Sequence, residues 1–410
     1  MADKKKIAFI TPFYIPADLT GSSIIVKQLA ESLAKIGYDV SVVTSMALTR
    51  RYWYDPFFST GLGHYSRING VKVYRLDCDQ FISAFYYVII KYFKFLLPET
   101  IFNKFLLRYR GPNLKGLSKF LRANRFDVIH SSPMPFYLNK QVADIIPVLT
   151  YKPEFILRAE AHLLRPEYKN PELKGIYERA DKIVVLTEYE RDSLRRVFKI
   201  PYSKLSLINN GVDLGQSREL EILKHRVKKY LWAKKLKGKK IIFFAGTKSP
   251  YKGAITLLET VNELHESDDS YLLVTIGEDT REWRRAKIKV DRNCFIDLGF
   301  VNEKQKNLLF SLCDIYCMPS VIEAFGLAYL DAWAKKKPVI AAETGVSQEI
   351  VVSAKGGITV EFNNKSQLKR AIKFLISNPV VAKKMGENGY RALGQKYSFK
   401  RMIKKYEAIF

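Results

Sequence analysis

Cysteine is scarce: the chain has four in 410 residues, Cys78, Cys294, Cys313 and Cys317. Four are too few for a disulfide scaffold. Cys313 and Cys317 lie four apart, but no second pair or nearby histidine completes a zinc set. They read as buried thiols. Long apolar runs are missing too. At the N-terminus, MADKKKIAFITPFY places only four apolar residues between its lysines and Thr11-Pro12. No signal-peptide core fits there, so a cytoplasmic protein is expected. The apolar stretch from 81 to 97 already contains Lys91 and Lys94 and is short for a bilayer span of about 20 residues. Acidic residues are the third shortage, 41 against 68 Lys and Arg, for a net charge of +27. That excess predicts attraction to a polyanion, either nucleic acid or an anionic membrane face.

What is present is globular: 47% apolar and 27% charged residues, on a chain long enough for two domains. Lys6 to Phe9 reads as a buried strand, Ser22 to Ile36 as a helix closed by Gly37, and DVSVVT (39–44) as a second strand, together a βαβ unit. VKVYRL (71–76), FDVIH (126–130), IPVLTY (146–151) and KIVVLT (182–187) continue the series. A second series starts with KIIFFAG (240–246) and the amphipathic helix AITLLETVNELH (254–265). It continues through YLLVTIG (271–277), NCFIDLG (293–299), DIYCMP (314–319) and KPVIAA (337–342). Strands alternating with helices argue parallel sheets covered on both faces, and two series imply two doubly wound α/β domains. The seam is expected between Leu205 and Lys240, where LKHRVKKYLWAKKLKGKK (223–240) interrupts the pattern. Ligands of such sheets sit beyond the carboxyl ends of the strands, so an active site in a cleft between the domains is expected.

Residues 81–110, FISAFYYVIIKYFKFLLPETIFNKFLLRYR, break the series. A half-buried helix rarely combines so much Phe and Tyr with Lys91, Lys94, Lys104, Arg108 and Arg110. Basic and aromatic residues together suit the headgroup–acyl boundary of a membrane. An internal helical pair with core aromatics is the competing reading.

The densest chemical signal is PSVIEAFGLAYLDAWAKKKPVIAAETGVSQEIV (319–352). Glu323 ends a strand loop, and Asp331 follows eight residues later. A helix starting near Phe325 leaves the amides of Ala324, Phe325, Gly326 and Leu327 bare, a ready anion site. Gly326 lets a ligand approach the backbone closely. A carboxylate, bare amides and a second carboxylate match sugar hydroxyls, a diphosphate and a ribose in that order. FFAGTKSPYKG (243–253) is the second signal: a strand, a glycine loop and Lys252-Gly253 opening a helix. A lysine there can neutralise a diphosphate as a point charge.

These segments resemble the retaining glycosyltransferases of family 4 (group 1), which have the GT-B fold of two Rossmann-like domains facing across a cleft. The signature is a glutamate, a Phe-Gly pair and a second acid eight residues after the first. The resemblance implies that Glu323 contacts the transferred sugar and Asp331 the donor ribose, although the family usually has glutamate at the second place. The loop from Gly246 to Lys252 matches the family's phosphate loop, with Thr247 where an arginine normally follows the glycine and Lys248 as a substitute cation. LINNGVD (207–213) resembles the hinge. The loop before the first helix normally carries two glycines near the donor phosphates, and Gly21 with Ser22 stands there. FDVIHSSPMP (126–135) resembles the strand end that carries a histidine near the transferred sugar, so His130 joins Glu323 and Lys252 as a catalytic candidate. A second histidine of the common form is replaced by Ser132. TGVSQEIV (344–351) and the closing helix SFKRMIKKYEAIF (398–410) complete the likeness.

By this resemblance the domains are 1–205, for the acceptor, and 206–385, for the nucleotide-sugar, with 386–410 returning to the first. The expected activity is retaining transfer from a UDP- or GDP-sugar, with no metal or other cofactor because lysine stands in for a divalent cation. Residues 81–110 point to a lipid-linked or glycolipid acceptor and to peripheral attachment at the cytoplasmic face of an anionic membrane. Nucleic acid is not an expected partner, since the aromatics cluster with aliphatics and no nucleic-acid module occurs. The alternative reading is a non-catalytic nucleotide-sugar or polyanion binder on the same fold.

Overall fold

The computed structural model describes residues 4–17, 21–212 and 231–410. The basic stretch 223–230 and Asp213 of the hinge-like motif lie outside them. The chain divides into two compact units, one from the N-terminus to Ile208 together with Ile403–Phe410, the other Asn209–Met402. The return to the first unit therefore begins at Ile403, not at residue 386. The helix Pro379–Gln395 instead packs on the helix Leu327–Ala334 inside the second unit.

Among its described residues unit 1 carries eight strands: β1 (Lys6–Ile10), β2 (Asp39–Ser45), β3 (Tyr65–Ile68), β4 (Val71–Leu76), β5 (Val128–Ser131), β6 (Glu154–Arg158), β7 (Lys182–Val185) and β8 (Leu205–Leu207). Their order is β3-β4-β2-β1-β5-β6-β7-β8, all parallel except β3, which pairs antiparallel with β4 at the edge. β1 is central, with Ile7 between Val40 and Val128. Covered on both faces, it needs an unbroken apolar run, and Ile7 to Ile10 are all fully buried. The helix α1 (Gly21–Lys35) turns Ile25, Val26, Leu29, Ala30 and Leu33 to the core at helical spacing.

One expected strand is displaced. Residues 146–148 form a 3₁₀ turn containing Pro147, and the strand runs over Glu154–Arg158 instead. IPVLTY looks β-rich, but its proline offers no ladder N–H. EFILR buries Phe155, Ile156, Leu157 and Arg158 completely, and an arginine in that run hides it from an apolar count.

Arg158 is tolerated because its charge is matched. Its Nε donates to Glu160 and its Nη1 donates 2.9 Å to the Tyr406 hydroxyl, as a buried guanidinium requires. Beside it, His130 is fully buried among Phe9, Tyr406 and Phe410. Neither ring nitrogen has a hydrogen-bond partner among the described residues. Burial, reinforced by the Arg158 charge, holds its pKa down to about 3. Described within its own unit, His130 has the surroundings of a neutral core residue.

Unit 2 carries β9 (Lys240–Ala245), β10 (Tyr271–Ile276), β11 (Phe295–Asp297), β12 (Ile315–Met318), β13 (Val339–Ala342) and β14 (Gly357–Val360). The order is β11-β10-β9-β12-β13-β14, parallel throughout. The chain starts in the middle, winds outward through β10 and β11, then crosses to β12. The switch point of this doubly wound sheet lies between β9 and β12.

His130 supplies a pH test of unit 1. Its folded-state pKa lies below the unfolded value, so its contribution to stability is complete above about pH 6.5. It is lost as pH falls toward 3, at about 1.4 kcal/mol per pH unit. Urea unfolding of wild type and His130→Phe at pH 7 and pH 5 should show the variant losing about 2 kcal/mol less over that interval. Equal losses in the two proteins would mean that His130 is not buried neutral.

Candidate active site

The two loops that leave β9 and β12 meet beyond the switch point. The Tyr251 carbonyl accepts the Val321 amide at 2.9 Å and the Ser320 hydroxyl at 3.4 Å. Gly253, with φ +71°, caps the helix Ala254–Ser267, and a Cβ there would stand 2.5 Å from the Pro319 carbonyl oxygen. Only glycine allows both the left-handed conformation and this approach. Gly326 plays the same part on the other loop: φ is +86°, and a Cβ would fall 2.4 Å from the Tyr329 ring. The helix after it starts at Leu327, two residues beyond the expected Phe325. Phe325 itself is 2% exposed and packs on Tyr397.

This junction brings together two candidates that are far apart in the chain. Lys252 Nζ lies 2.5 Å from Glu323 Oε1, with the side chains 19% and 8% exposed. Shielding of that degree makes the pair sensitive to loss of one partner, because the other is left with an uncompensated charge. The amides from Ala324 to Leu327 are on the same loop as Glu323. Around this point the geometry therefore offers a cation, a carboxylate and a helix start, which suits recognition of a phosphorylated, hydroxyl-rich ligand.

Lys248 does not offer the free cation expected of it. Its side chain has no exposure, and Nζ lies 2.6 Å from both Asp279 and Asp297. Lys287 reaches the same two carboxylates at 2.9 and 3.1 Å, and Trp283 Nε1 donates 2.9 Å to Asp297. Burial raises the Asp297 carboxyl, but the bonds from Lys248 and Trp283 outweigh it and hold the group below the ordinary range. Lys248 is a strut joining the ends of β9, β10 and β11. Its partners sit 31 and 49 residues away, a separation with no local sequence signal. Thr247 precedes it as a partly exposed loop residue, and Gly246 closes β9 with φ +153°.

Asp331, partly exposed, stands one turn into the helix that begins at Leu327 and pairs with Lys306 at 3.5 Å. Burial raises its carboxyl and the Lys306 ammonium offsets part of that rise. Lys306 was not among the residues that the sequence singled out. It sits one turn into the helix Glu303–Leu312, where its spacing alone marks only a solvated helix face.

In unit 1, Gly21 opens α1, and the Ser22 hydroxyl donates to Glu160, which also holds Arg158. Ser22 is thus tied to the end of β6 rather than to its own helix start. An Asp-x-Asp triplet occurs at Asp77-Cys78-Asp79, the spacing of many metal-binding loops. Both acids have structural work: Asp79 accepts the Ile82 amide at the start of the helix α2 (Gln80–Tyr92), and Asp77 accepts from the Tyr52 hydroxyl. Among the described residues no three His, Cys, Asp or Glu side chains converge on a metal position.

Comparison with known proteins agrees with this architecture. The family model "Glycosyltransferase Family 4" matches residues 19–216, and "Glycosyl transferases group 1" matches residues 228–392. An uncharacterized glycosyltransferase of Methanocaldococcus jannaschii is 24% identical over 99% of this chain and 97% of its own. Sucrose-phosphate synthase from Thermosynechococcus elongatus superposes with a TM-score of 0.73 at 18% identity, covering 99% and 98% of the two chains. Anabaena HepE, solved in complex with UDP and glucose, gives 0.72 at 14% identity, covering 99% of each.

Two substitutions test the junction. Gly326→Ala is expected to destabilise unit 2 by about 1–3 kcal/mol through backbone strain and the Tyr329 clash, read as a lower Tm. Lys252→Met with Glu323→Gln in a double-mutant cycle should give a coupling energy of about 0.5–3 kcal/mol. Strict additivity would show that the 2.5 Å contact carries no energy.

Proposed function

The chain belongs to the group 1, family 4 glycosyltransferases, and from that premise we propose that it transfers a sugar from a nucleoside-diphosphate donor with retention of configuration. The observation carrying the proposal is the Lys252–Glu323 pair at the switch point of unit 2. The anomeric carbon–oxygen bond of the donor breaks, and the diphosphate leaves with the bonding electrons. Lys252 and the amides after Glu323 stabilise that departing charge, and preorganised electrostatics of this kind is the strongest catalytic effect such a site can exert. The acceptor hydroxyl bonds to the anomeric carbon on the face the diphosphate vacates, and its proton passes to the departing phosphate oxygen. Glu323 holds the transferred sugar and Asp331 the ribose. Gly246, Thr247 and Gly326 let backbone approach the donor, whereas Lys248 supports the loop through Asp279 and Asp297. His130 acts in this reading as a packed wall of unit 1. The solved relative holding UDP and glucose supports a uridine donor, with GDP-sugar as the other option.

A membrane-borne acceptor is supported by α2 and the helix α3 (Glu99–Tyr109). In α2 only Ser83 is buried. Phe81, Phe85, Phe93, Phe95 and Leu96 are 47–77% exposed, with Lys91, Lys94 and Lys104 among them also exposed. Apolar side chains left in water beside lysines fit the interface of an anionic bilayer. No helix among the described residues is long and apolar enough to cross a membrane.

In a donor-free site Glu323 competes with the diphosphate for Lys252. UDP and GDP binding by calorimetry should therefore weaken at least tenfold in Lys252→Ala. It should stay equal or tighten in Glu323→Gln, while turnover of the corresponding sugar conjugates falls on the order of 10²–10³-fold in both. Nucleotide binding that ignores Lys252 would sink the donor reading and favour a non-catalytic binder of polyanions. Separately, wild type should float with phosphatidylglycerol vesicles and not with phosphatidylcholine vesicles. Phe85→Ser with Phe95→Ser should float at least tenfold less. A wild-type protein that stays with the unbound fraction at low salt would overturn membrane attachment.

A further inference from the structure

The exposed helices lead directly into a second concentration of positive charge. The loops after β2, β4, β5 and β6 all leave the carboxyl edge of the unit 1 sheet, where doubly wound sheets hold ligands. Three of them deliver an arginine. Arg50 opens the 3₁₀ turn after β2, and its guanidinium lies 6.0 Å from the Trp53 ring and 5.4 Å from Phe136. Arg110 ends α3, within the excursion after β4. Arg165 lies in the segment after β6.

Positive charge is concentrated here. Glu167 is shared, 3.5 Å from Arg110 and 2.5 Å from Arg165. Arg50 makes no ion pair among the described residues. The Arg110 side chain is 17% exposed, and its Nε is buried without a hydrogen-bond partner. Burial lowers the Arg110 guanidinium's hold on its proton; Tyr168 and Glu167 oppose this, while Arg50 and Arg165 add to it. Tyr54 feels the charge of both Arg50 and Arg110, and the Tyr168 ring lies 6.0 Å from the Arg110 guanidinium. Glu167 offsets one of these three positive charges, and the surplus that remains beside the aromatic rings favours a further anion. Guanidinium forks suit a phosphoryl group better than a point cation would.

We propose that Arg50, Arg110 and Arg165 form an anion site in unit 1 that takes the phosphoryl group of the acceptor. The anion site stands on unit 1 alone; its assignment to an acceptor rests on the transferase reading. The phosphoryl group can belong to a free phosphorylated sugar or to a lipid headgroup presented beside α2 and α3.

Inorganic phosphate is the probe, titrated by calorimetry against a chloride background of constant ionic strength. Wild type, Arg50→Gln/Arg165→Gln, Arg50→Lys/Arg165→Lys and Lys252→Ala are compared. Arg50 is exposed and Arg165 is 39% exposed, so these changes leave the core intact. The glutamine pair should bind phosphate at least tenfold more weakly, the lysine pair at an intermediate level, and Lys252→Ala like wild type. Phosphate binding unchanged in the glutamine pair, or lost in Lys252→Ala, would overturn the site. Binding of UDP or GDP should be the same in the glutamine pair and wild type. If no protein binds a nucleotide while phosphate binding still depends on the arginines, the transferase reading fails and the anion site stands. Phosphatidylglycerol flotation separates the sources: a tenfold loss in the glutamine pair assigns the lipid headgroup, and unchanged flotation assigns a soluble phosphate.

Discussion

Everything chemical in unit 2 depends on the contact of two loops beyond the switch point of its sheet. Lys252 and Glu323 are 71 residues apart, yet β9 and β12 are neighbours, so their loops leave the sheet side by side. The contact requires a glycine at 253, because any Cβ would enter the Pro319 carbonyl, and one at 326, because Tyr329 occupies the space. These constraints fix where a cation and a carboxylate meet. They also explain why the pair is shielded rather than solvated, where a charge interacts more strongly than it does in water.

Charge in this protein is sorted by depth. The most deeply buried cations, Arg158 and Lys248, have carboxylate or hydroxyl partners and act as braces. Lys252 is intermediate, paired with the Glu323 carboxylate. Arg110, as shielded as Lys252, shares Glu167 with the more exposed Arg165, and Arg50 lies at the surface over aromatic rings. The surplus of +27 is thus not a uniform coat. Part of it gathers at a loop edge and along an aromatic helix pair.

The two α/β units were legible in the chain because buried parallel strands must be apolar on both faces. KIIFFAG and YLLVTIG declare this without help from distant residues. EFILR was not legible: its arginine is satisfied by Glu160 and Tyr406, partners the local pattern cannot supply. IPVLTY misled for the opposite reason, having strand composition but a proline where the ladder needs a donor. Of the two lysines in the loop after β9, Lys252 lies at the loop junction beside Glu323. Lys248 was drawn inward by Asp279 and Asp297, whose approach depends on strand order.

What the amino-acid sequence determined by itself is the alternation that sets two doubly wound sheets, the glycine-containing loops after their strands, and the spacing of Glu323, Gly326 and Asp331. All of these follow from local constraints: which faces are covered, which φ angles are reachable, which residues share a helix. Tertiary structure alone decided which charges meet. Only folding pairs Lys252 with Glu323, buries Lys248 and His130, hands Lys306 to Asp331, and gathers three arginines from separate loops. Electrostatic energy depends on distance in space and on access to water, and neither is written in distance along the chain.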